Sequence, residues 1–331
     1  MSPIGLAVVL AISFGLPAPA ARAQALTRVP RIGVLSPQKS AESPALQREP
    51  FEGGLREQGW VPGTNLIIEY RYAEGKPEDL PRRAAELVGL KVDVIVARGP
   101  QAIRAAQQVT TTIPIVMSAG ADPVRGGLVA SLARPGGNIT GLALFADDLG
   151  GKQLQILKEA LPELGRVAVL LNPIMSTDQD DSFSGKLNQA AQISKVQIQI
   201  FRVTRADEIA EAFAAMTRAH VHGLLVRPDP NVLEPNSPQV VAQALKHRLP
   251  AIYPWRFYVE AGGLMSYATS LPDIHRRAAA YVTRILRGEK PETLPVELPM
   301  KFELTVNART AKALGLTIPP ALRQRADRVV E

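Results

Sequence analysis

The sequence predicts an α/β fold with two similar lobes, each built on a parallel, doubly wound sheet. The first observation is a β-branched strand, a turn at Gly99 and Pro100, and a helix, all within residues 92–108. The second is a related stretch at residues 221–229, where an apolar strand is again followed by an arginine and a turn. The third is the alternation of strands and helices along the chain, which is typical of parallel sheets.

The stretches that flank this unit also recur in the same order. Residues 31–37 resemble residues 166–173, and residues 112–117 resemble residues 248–253. Buried parallel strands share an apolar composition in general. Because the order and the flanking turns match as well, we favour an internal repeat of two α/β lobes.

The first half contains five predicted strands. Pro50 and Pro77 suit first helical positions, and Gly59 ends a helix. The predicted strands are 31–35, 66–70, 92–96, 113–117 and 139–144, and the predicted helices are 50–59, 77–90, 100–109 and 124–133.

The second half continues the alternation and ends in a Pro-rich segment. Its predicted helices are 149–161, 187–193, 206–219, 239–247, 273–287 and 310–314, and its predicted strands are 167–171, 196–203, 221–226, 248–253, 264–267 and 302–306. We expect an N-terminal lobe of residues 30–145 plus 264–290. We expect a C-terminal lobe of residues 146–263 plus 291–331.

The N-terminus predicts export through a cleavable signal peptide at residues 1–23. Residues 4–16 form an apolar run that is too short to span a bilayer, and Ala21-Arg22-Ala23 is an A-x-A cleavage site. No later segment reaches 18 consecutive apolar residues. The expected mature chain is therefore a soluble periplasmic protein, and the lack of cysteine excludes a lipid anchor on cysteine.

Composition and motifs argue against several classes of protein. The net charge is +7, but no run of five Lys or Arg residues exists, so we expect no nucleic-acid partner. The chain lacks G-x-G-x-x-G after a strand, a Walker motif, H-E-x-x-H and G-x-S-x-G. The four histidines do not have ligand spacing. We therefore expect no metal, no cofactor and no catalytic residues.

Candidate binding residues cluster at the ends of the predicted strands. The carboxyl ends of parallel strands form one edge, where ligands bind in open α/β sheets. Two such edges facing each other would enclose a cleft. We expect backbone amides near Gln101 to hold an anion, Asp122 or Asp229 to pair with an ammonium, and aromatic rings to stack on the solute. The candidates are Ser36, Gly99, Gln101, Ser118, Asp122, Asn172, Asp229, Tyr253, Trp255 and Tyr267.

Several stretches resemble the ABC-transporter substrate-binding proteins of the tryptophan/tyrosine-type group, and the resemblance covers residues 31–331. The similar stretches are Ala121-Asp-Pro-Val124, Leu128-Val-Ala-Ser-Leu-Ala-Arg-Pro-Gly-Gly-Asn-Ile-Thr-Gly141, Glu260-Ala-Gly-Gly-Leu-Met-Ser-Tyr267, Lys301-Phe-Glu-Leu304 and Thr310-Ala-Lys-Ala-Leu-Gly-Leu-Thr-Ile-Pro319. The resemblance implies a type I periplasmic-binding-protein fold, with two Rossmann-like lobes, a multi-strand hinge and a solute between them. It also implies a membrane permease and an ATPase as partners.

The chain departs from that group at the expected cleft. Gly99-Pro100 replaces a glycine followed by a small hydroxyl residue, and Tyr253-Pro-Trp-Arg-Phe257 replaces a more acidic stretch. The resemblance therefore implies the fold and the partners without identifying the solute. We expect a monomeric receptor that closes on a small organic solute, such as an amino acid or an aromatic compound, without turnover. The alternatives are a secreted α/β enzyme that uses the cleft and the effector domain of a regulator.

Overall fold

The computed structural model describes residues 28–40, 47–120, 122–144, 149–173, 179–299 and 301–331. The expected signal peptide and the expected lobe boundary at residue 145 lie outside these ranges. None of the helices within them is both long and apolar enough to span a membrane.

The first sheet has five parallel strands in the order β2-β1-β3-β4-β5. Its strands are β1 (Arg31–Ser36), β2 (Ile67–Tyr72), β3 (Val94–Arg98), β4 (Ile115–Gly120) and β5 (Ile139–Ala143). The helices between them are α1 (Glu49–Glu57), α2 (Leu80–Gly89) and α3 (Gly99–Val109). Gly99 has a φ of +79°, so the turn between β3 and α3 has the left-handed backbone that its glycine predicts.

The second sheet has seven strands in the order β12-β11-β10-β9-β8-β6-β7, with β10 and β11 antiparallel. Its strands are β6 (Arg166–Leu171), β7 (Gln197–Arg202), β8 (Gly223–Val226), β9 (Ala251–Tyr253), β10 (Met265–Thr269), β11 (Phe302–Asn307) and β12 (Arg328–Val330). The helices in this half are α4 (Leu149–Ala160), α5 (Gln179–Ser194), α6 (Ile209–Arg218), α7 (Ser237–Lys246), α8 (Arg256–Glu260), α9 (Leu271–Leu286), α10 (Ala308–Leu314) and α11 (Pro320–Arg325).

Each face of the first sheet has its own apolar core. On one face, Ile32 and Val94 pack with Phe51 of α1 and Ile274 of α9. On the other face, Leu35 and its neighbours pack against α2 and α3. Since residues along a strand alternate between faces, Ser36 and Arg98 lie on the face that α1 and α9 cover.

The lobe boundaries differ from the expected 264–290 and 291–331. The strand β10 pairs with β9 and β11 of the second sheet, and the backbone amide of Gly263 donates to Tyr258 of the same lobe at 2.8 Å, so the chain does not leave the second lobe at Gly263. Residues 291–298 join the first sheet, where the backbone amides of Ala143 and Glu297 donate to Glu297 and Gly141 at 3.0 and 2.9 Å. The chain thus crosses between lobes after Leu144, near Ser270 and before Lys301.

The predicted helix at residues 124–133 is wrong. The segment forms consecutive turns, in which the amides of Leu128 and Val129 donate to the carbonyl of Pro123 at 2.8 and 3.1 Å. Its apolar spacing is helical, but Gly127 has a φ of +66°, which ends helical geometry. Val129 is nevertheless buried against the first sheet, which explains the apolar pattern.

We expect Gly141→Ala to destabilise the protein strongly. Gly141 has a φ of +122°, and an added Cβ would overlap the backbone of Met117 on the neighbouring strand. The combined strain and overlap should lower the free energy of unfolding by about 3 kcal/mol, measurable by urea denaturation. Gly137→Ala is the matched control because nothing lies within 4 Å of its added Cβ. Equal midpoints for the two variants would contradict this account.

Candidate functional site

A cavity of about 190 Å³ lies between the two lobes, at the carboxyl ends of both sheets. Its lining includes residues at or just after the carboxyl ends of β1, β3 and β4 on one side and of β6 and β8 on the other. Six of the ten candidate residues line it: Ser36, Gly99, Gln101, Ser118, Asn172 and Trp255.

The register of the first sheet aligns the polar wall of the cavity. Arg98 pairs with Ser118 across β3 and β4, while Leu35 pairs with Ala97, so Ser36 comes next to Arg98. Paired residues of parallel strands project from the same face. Ser36, Arg98 and Ser118 are 1%, 3% and 0% exposed, so this row of polar groups is buried beside the cavity.

Arg98 brings a buried positive charge to this wall. Its Nη1 donates to Oε1 of Gln47 at 3.1 Å, and its Nη2 donates to the backbone oxygen of Gln47 at 3.4 Å. The guanidinium also lies 5.9 Å from the ring centroid of Phe51. Burial lowers the pKa of Arg98, but an arginine remains charged at ordinary pH.

His275 of α9 lies beside this row. Its Nδ1 is 2.6 Å from Oγ of Ser118, and the residue is 2% exposed. Its Nε2 is buried and has no hydrogen-bond partner among the described residues. Burial, and then the charge of Arg98, holds the pKa of His275 well below its usual value. The imidazole is therefore neutral at neutral pH.

The opposite wall contains an amide that a buried carboxylate positions. Nδ2 of Asn172 lies 3.4 and 3.3 Å from the two carboxylate oxygens of Asp229. Asp229 is 0% exposed and also accepts the backbone amides of Asn231, Val232 and Leu233 at 2.9 to 3.0 Å. Asp229 therefore orients Asn172 and closes the loop after β8.

Trp255 gives the second wall an aromatic surface. Its Nε1 donates to Oε1 of Glu234 at 2.7 Å, which orients the indole beside the cavity. Pro228, Pro230 and Pro254 lie in the same wall. This side of the cavity therefore combines an apolar surface with the polar side chains of Asn172, Arg227 and Glu234.

Four candidate residues lie outside the cavity lining. Asp122 accepts the backbone amides of Val124 and Arg125 at 3.1 Å each, so it closes a turn. Asp229 lies beneath Asn172. The other two candidates pack in aromatic pairs: Tyr253 with Tyr258 at 5.0 Å between centroids, and Tyr267 with Phe302 at 5.9 Å.

Sequence reasoning missed several residues that line the cavity. Arg98 and Arg227 are the arginines shared by both strand–turn stretches, but the local pattern does not distinguish a structural arginine from one that lines a cavity. Glu234 and His275 had no local signal, because a long loop and a helix from a distant part of the chain bring them to the cavity. The missed polar lining residues are Gln38, Gln47, Arg98, Gln153, Arg227, Glu234 and His275.

Within the described ranges, no group of three His, Asp or Glu side chains could hold a metal ion. The cavity combines a buried guanidinium, a neutral imidazole and hydroxyl groups with an indole and proline rings. Such a mixture suits a small organic molecule with one polar end and one apolar end.

The model of the family described as "ABC transporter substrate binding protein" matches residues 34–330. The chain belongs to this family. Among curated proteins, it is similar to a tyrosine-binding protein from Clostridioides difficile (strain R20291), with 26% identity over 279 residues, covering 83% of this chain and 79% of that protein.

Solved structures share the fold over most of the chain. A conserved domain protein from Vibrio cholerae has a TM-score of 0.83 and 27% identity, covering 91% of this chain and 100% of that chain. An ABC domain in complex with L-Trp from Streptococcus pneumonia has a TM-score of 0.81 and 24% identity, covering 92% of this chain and 100% of that chain. A ligand-free, open substrate binding protein with adhesive properties from Clostridium difficile has a TM-score of 0.69 and 25% identity, covering 91% of this chain and 99% of that chain. The type I periplasmic-binding-protein fold expected from the sequence is thereby confirmed.

We expect stability to fall with acidification below about pH 6.5 because His275 stays neutral in the folded protein. The unfolded chain takes up a proton near its ordinary pKa of about 6.5, whereas the folded chain does so only at lower pH. In the wild type, His275 should therefore contribute on the order of 1 kcal/mol to the loss of unfolding free energy between about pH 7.5 and about pH 5.5. The variant His275→Gln should lose less stability over this range by about that amount. An unchanged pH dependence in this variant would contradict the assignment.

We expect Asp229→Ala to lower the free energy of unfolding by about 3 kcal/mol, because it leaves several buried amide donors without an acceptor. Asp122→Ala removes an acceptor for two amides in a more exposed turn and should cost about 1 kcal/mol. Thermal and urea denaturation of both variants would measure this difference. If Asp122→Ala were the more damaging change, our placement of the two carboxylates would be wrong.

Proposed function

We propose that this substrate-binding protein closes its two lobes on a small organic solute, such as an amino acid or an aromatic compound, and delivers it to an ABC permease. The observation that carries the proposal is the cavity between lobes that are joined by three chain crossings. Such crossings allow a hinge motion, and a solute that contacts both walls favours the closed state.

The chemistry of the two walls supports this class of solute. Trp255 and the neighbouring prolines offer an apolar surface for a ring or an aliphatic chain. Ser36, Ser118 and Arg98 offer polar contacts on the other side. One relative is named for tyrosine, and one structural neighbour contains L-Trp, which is consistent with an aromatic amino acid here.

The proposal also includes location and partners. The apolar run before Ala21-Arg22-Ala23 supports export to the periplasm, with cleavage before Gln24. The family supports a membrane permease, to which we add its ATPase and a monomeric receptor.

The alternative function is an enzyme that uses the cleft, and one contact between side chains is of the kind that hydrolytic enzymes use. Ser118 and His275 form a serine–histidine pair at 2.6 Å, which the sequence did not predict. A nucleophile of this type needs a basic imidazole that a third group orients. Here the pKa of His275 is lowered, and its Nε2 has no described partner. The receptor is therefore the better interpretation of this pair.

We expect L-tyrosine at about 100 times its Kd to stabilise the protein by about 2.7 kcal/mol and to change its tryptophan fluorescence. Trp255→Phe should abolish the fluorescence change, and Trp255→Ala should weaken binding by about 10-fold or more. Trp60→Phe is the matched control, because Trp60 packs in the core formed with α1 and α9. Recovery of unchanged solute supports the receptor, whereas chemical conversion of the solute would favour the enzyme.

A further inference from the structure

The first-lobe wall contains one polar atom that the protein itself does not satisfy. Nε2 of His275 is buried beside the cavity without a hydrogen-bond partner among the described residues. Leaving such a group unsatisfied costs about 1–3 kcal/mol. His275 also lines the cavity, so a solute that reaches Nε2 would supply the missing partner.

The contact between Ser118 and His275 allows two tautomers. If the hydroxyl of Ser118 donates to Nδ1, the proton of the neutral imidazole is on Nε2, which is then a hydrogen-bond donor. If Nδ1–H donates to Ser118, Nε2 presents a lone pair. The tautomer that is present when the cavity is occupied therefore decides whether the solute group must accept or donate a hydrogen bond.

The surroundings favour an anionic group opposite Nε2. Arg98 pairs in register with Ser118, His275 contacts the Ser118 hydroxyl, and both residues line the cavity. Burial, and then the charge of Arg98, lowers the pKa of His275, so the imidazole stays neutral beside the guanidinium. The N-terminus of the 11-residue helix α3 also faces the cavity and adds positive potential. A negatively charged oxygen is stabilised by all three features, whereas an ammonium would be opposed by them.

The carboxylates near the cavity leave little for an ammonium. Asp229 is bonded to Asn172 and to three backbone amides, and Asp122 lies outside the lining. Glu234 accepts the indole N–H of Trp255. The charge that the cavity is built to recognise is therefore negative.

We propose that Nε2 of His275 and the guanidinium of Arg98 hold the carboxylate of the solute, so that the cleft selects organic acids with an apolar or aromatic body. The carboxylate is the required polar group, and an α-ammonium group is dispensable. This inference rests on the proposed function, since it assigns the polar end of the same solute.

The test uses three probes that differ only in their polar ends. L-Tyrosine has a carboxylate and an ammonium, 3-(4-hydroxyphenyl)propionate has the carboxylate alone, and tyramine has the ammonium alone. Titration calorimetry on the wild-type chain should give Kd values within about 10-fold for the first two probes. Tyramine should bind about 100-fold more weakly, as expected from losing hydrogen bonds to a charged group.

Variants test the named residues. His275→Phe should weaken binding of the propionate by about 10- to 100-fold, and His275→Gln, which keeps a donor, should recover part of the loss. Arg98→Lys keeps the charge and should bind better than Arg98→Met. His247→Phe is the control, because His247 lies at the opposite end of the second lobe and does not line this cavity.

A measurement on the wild type does not depend on the folding of variants. Nitrogen-15 spectra of the imidazoles report which nitrogen carries the proton. The His275 signals are assigned by their absence from the spectrum of His275→Gln. On adding the propionate, they should show the Nε2–H tautomer and a shifted Nε2 signal. If His275 carries its proton on Nδ1 in the complex, Nε2 does not donate to the carboxylate, and the proposal is wrong.

The outcomes separate the two proposals. The carboxylate assignment fails if tyramine binds as tightly as the propionate. It also fails if His275→Phe weakens the binding of tyramine and of the propionate by the same factor. In both cases the proposal of a solute receptor stands. If none of the probes binds, the proposed aromatic solutes are contradicted, and this inference fails with them.

Discussion

The structure depends on the parallel register of β1, β3 and β4. That register places Ser36, Arg98 and Ser118 in one row at the carboxyl end of the first sheet. Strand hydrogen bonds fix the backbones of the row, so the side chains have little freedom to move apart. Because the face that carries the row is covered by α1 and α9, the guanidinium and hydroxyl groups are buried together and their fields add.

The burial of Arg98 requires support from elsewhere in the chain. A charge removed from water costs several kcal/mol unless hydrogen bonds and nearby rings compensate for the loss. Gln47 provides two acceptors, and Phe51 provides an aromatic face. Both residues come from the segment just before and within α1. The packing of α1 on the sheet is therefore part of the site, even though α1 follows a different strand.

Much of the architecture could be predicted, because periodicity and turn residues act locally. The internal repeat located the strand ends, and Ser36, Gly99, Gln101, Ser118, Asn172 and Trp255 line the cavity. Local patterns do not show what faces a residue across the fold. An aspartate before Pro123 looks the same in the sequence whether it binds a solute or closes a turn. Likewise, Tyr253 at the end of β9 packs on Tyr258, whereas Trp255, two residues later, lines the cavity. His275 could not be found, since its partner Ser118 is 157 residues away in sequence.

The two walls differ in a way that gives hinge closure a physical basis. The first lobe alone holds the groups that we assign to the carboxylate, including His275, which reaches it because α9 crosses back from the second lobe. The second lobe contributes Trp255 and proline rings, beside the polar side chains of Asn172 and Arg227. A solute held by its charge on the first wall would leave its apolar body exposed until the second wall covers it. The burial of that body, at about 25 cal/mol per Å², would favour closure, and a small polar ion would lack this contribution.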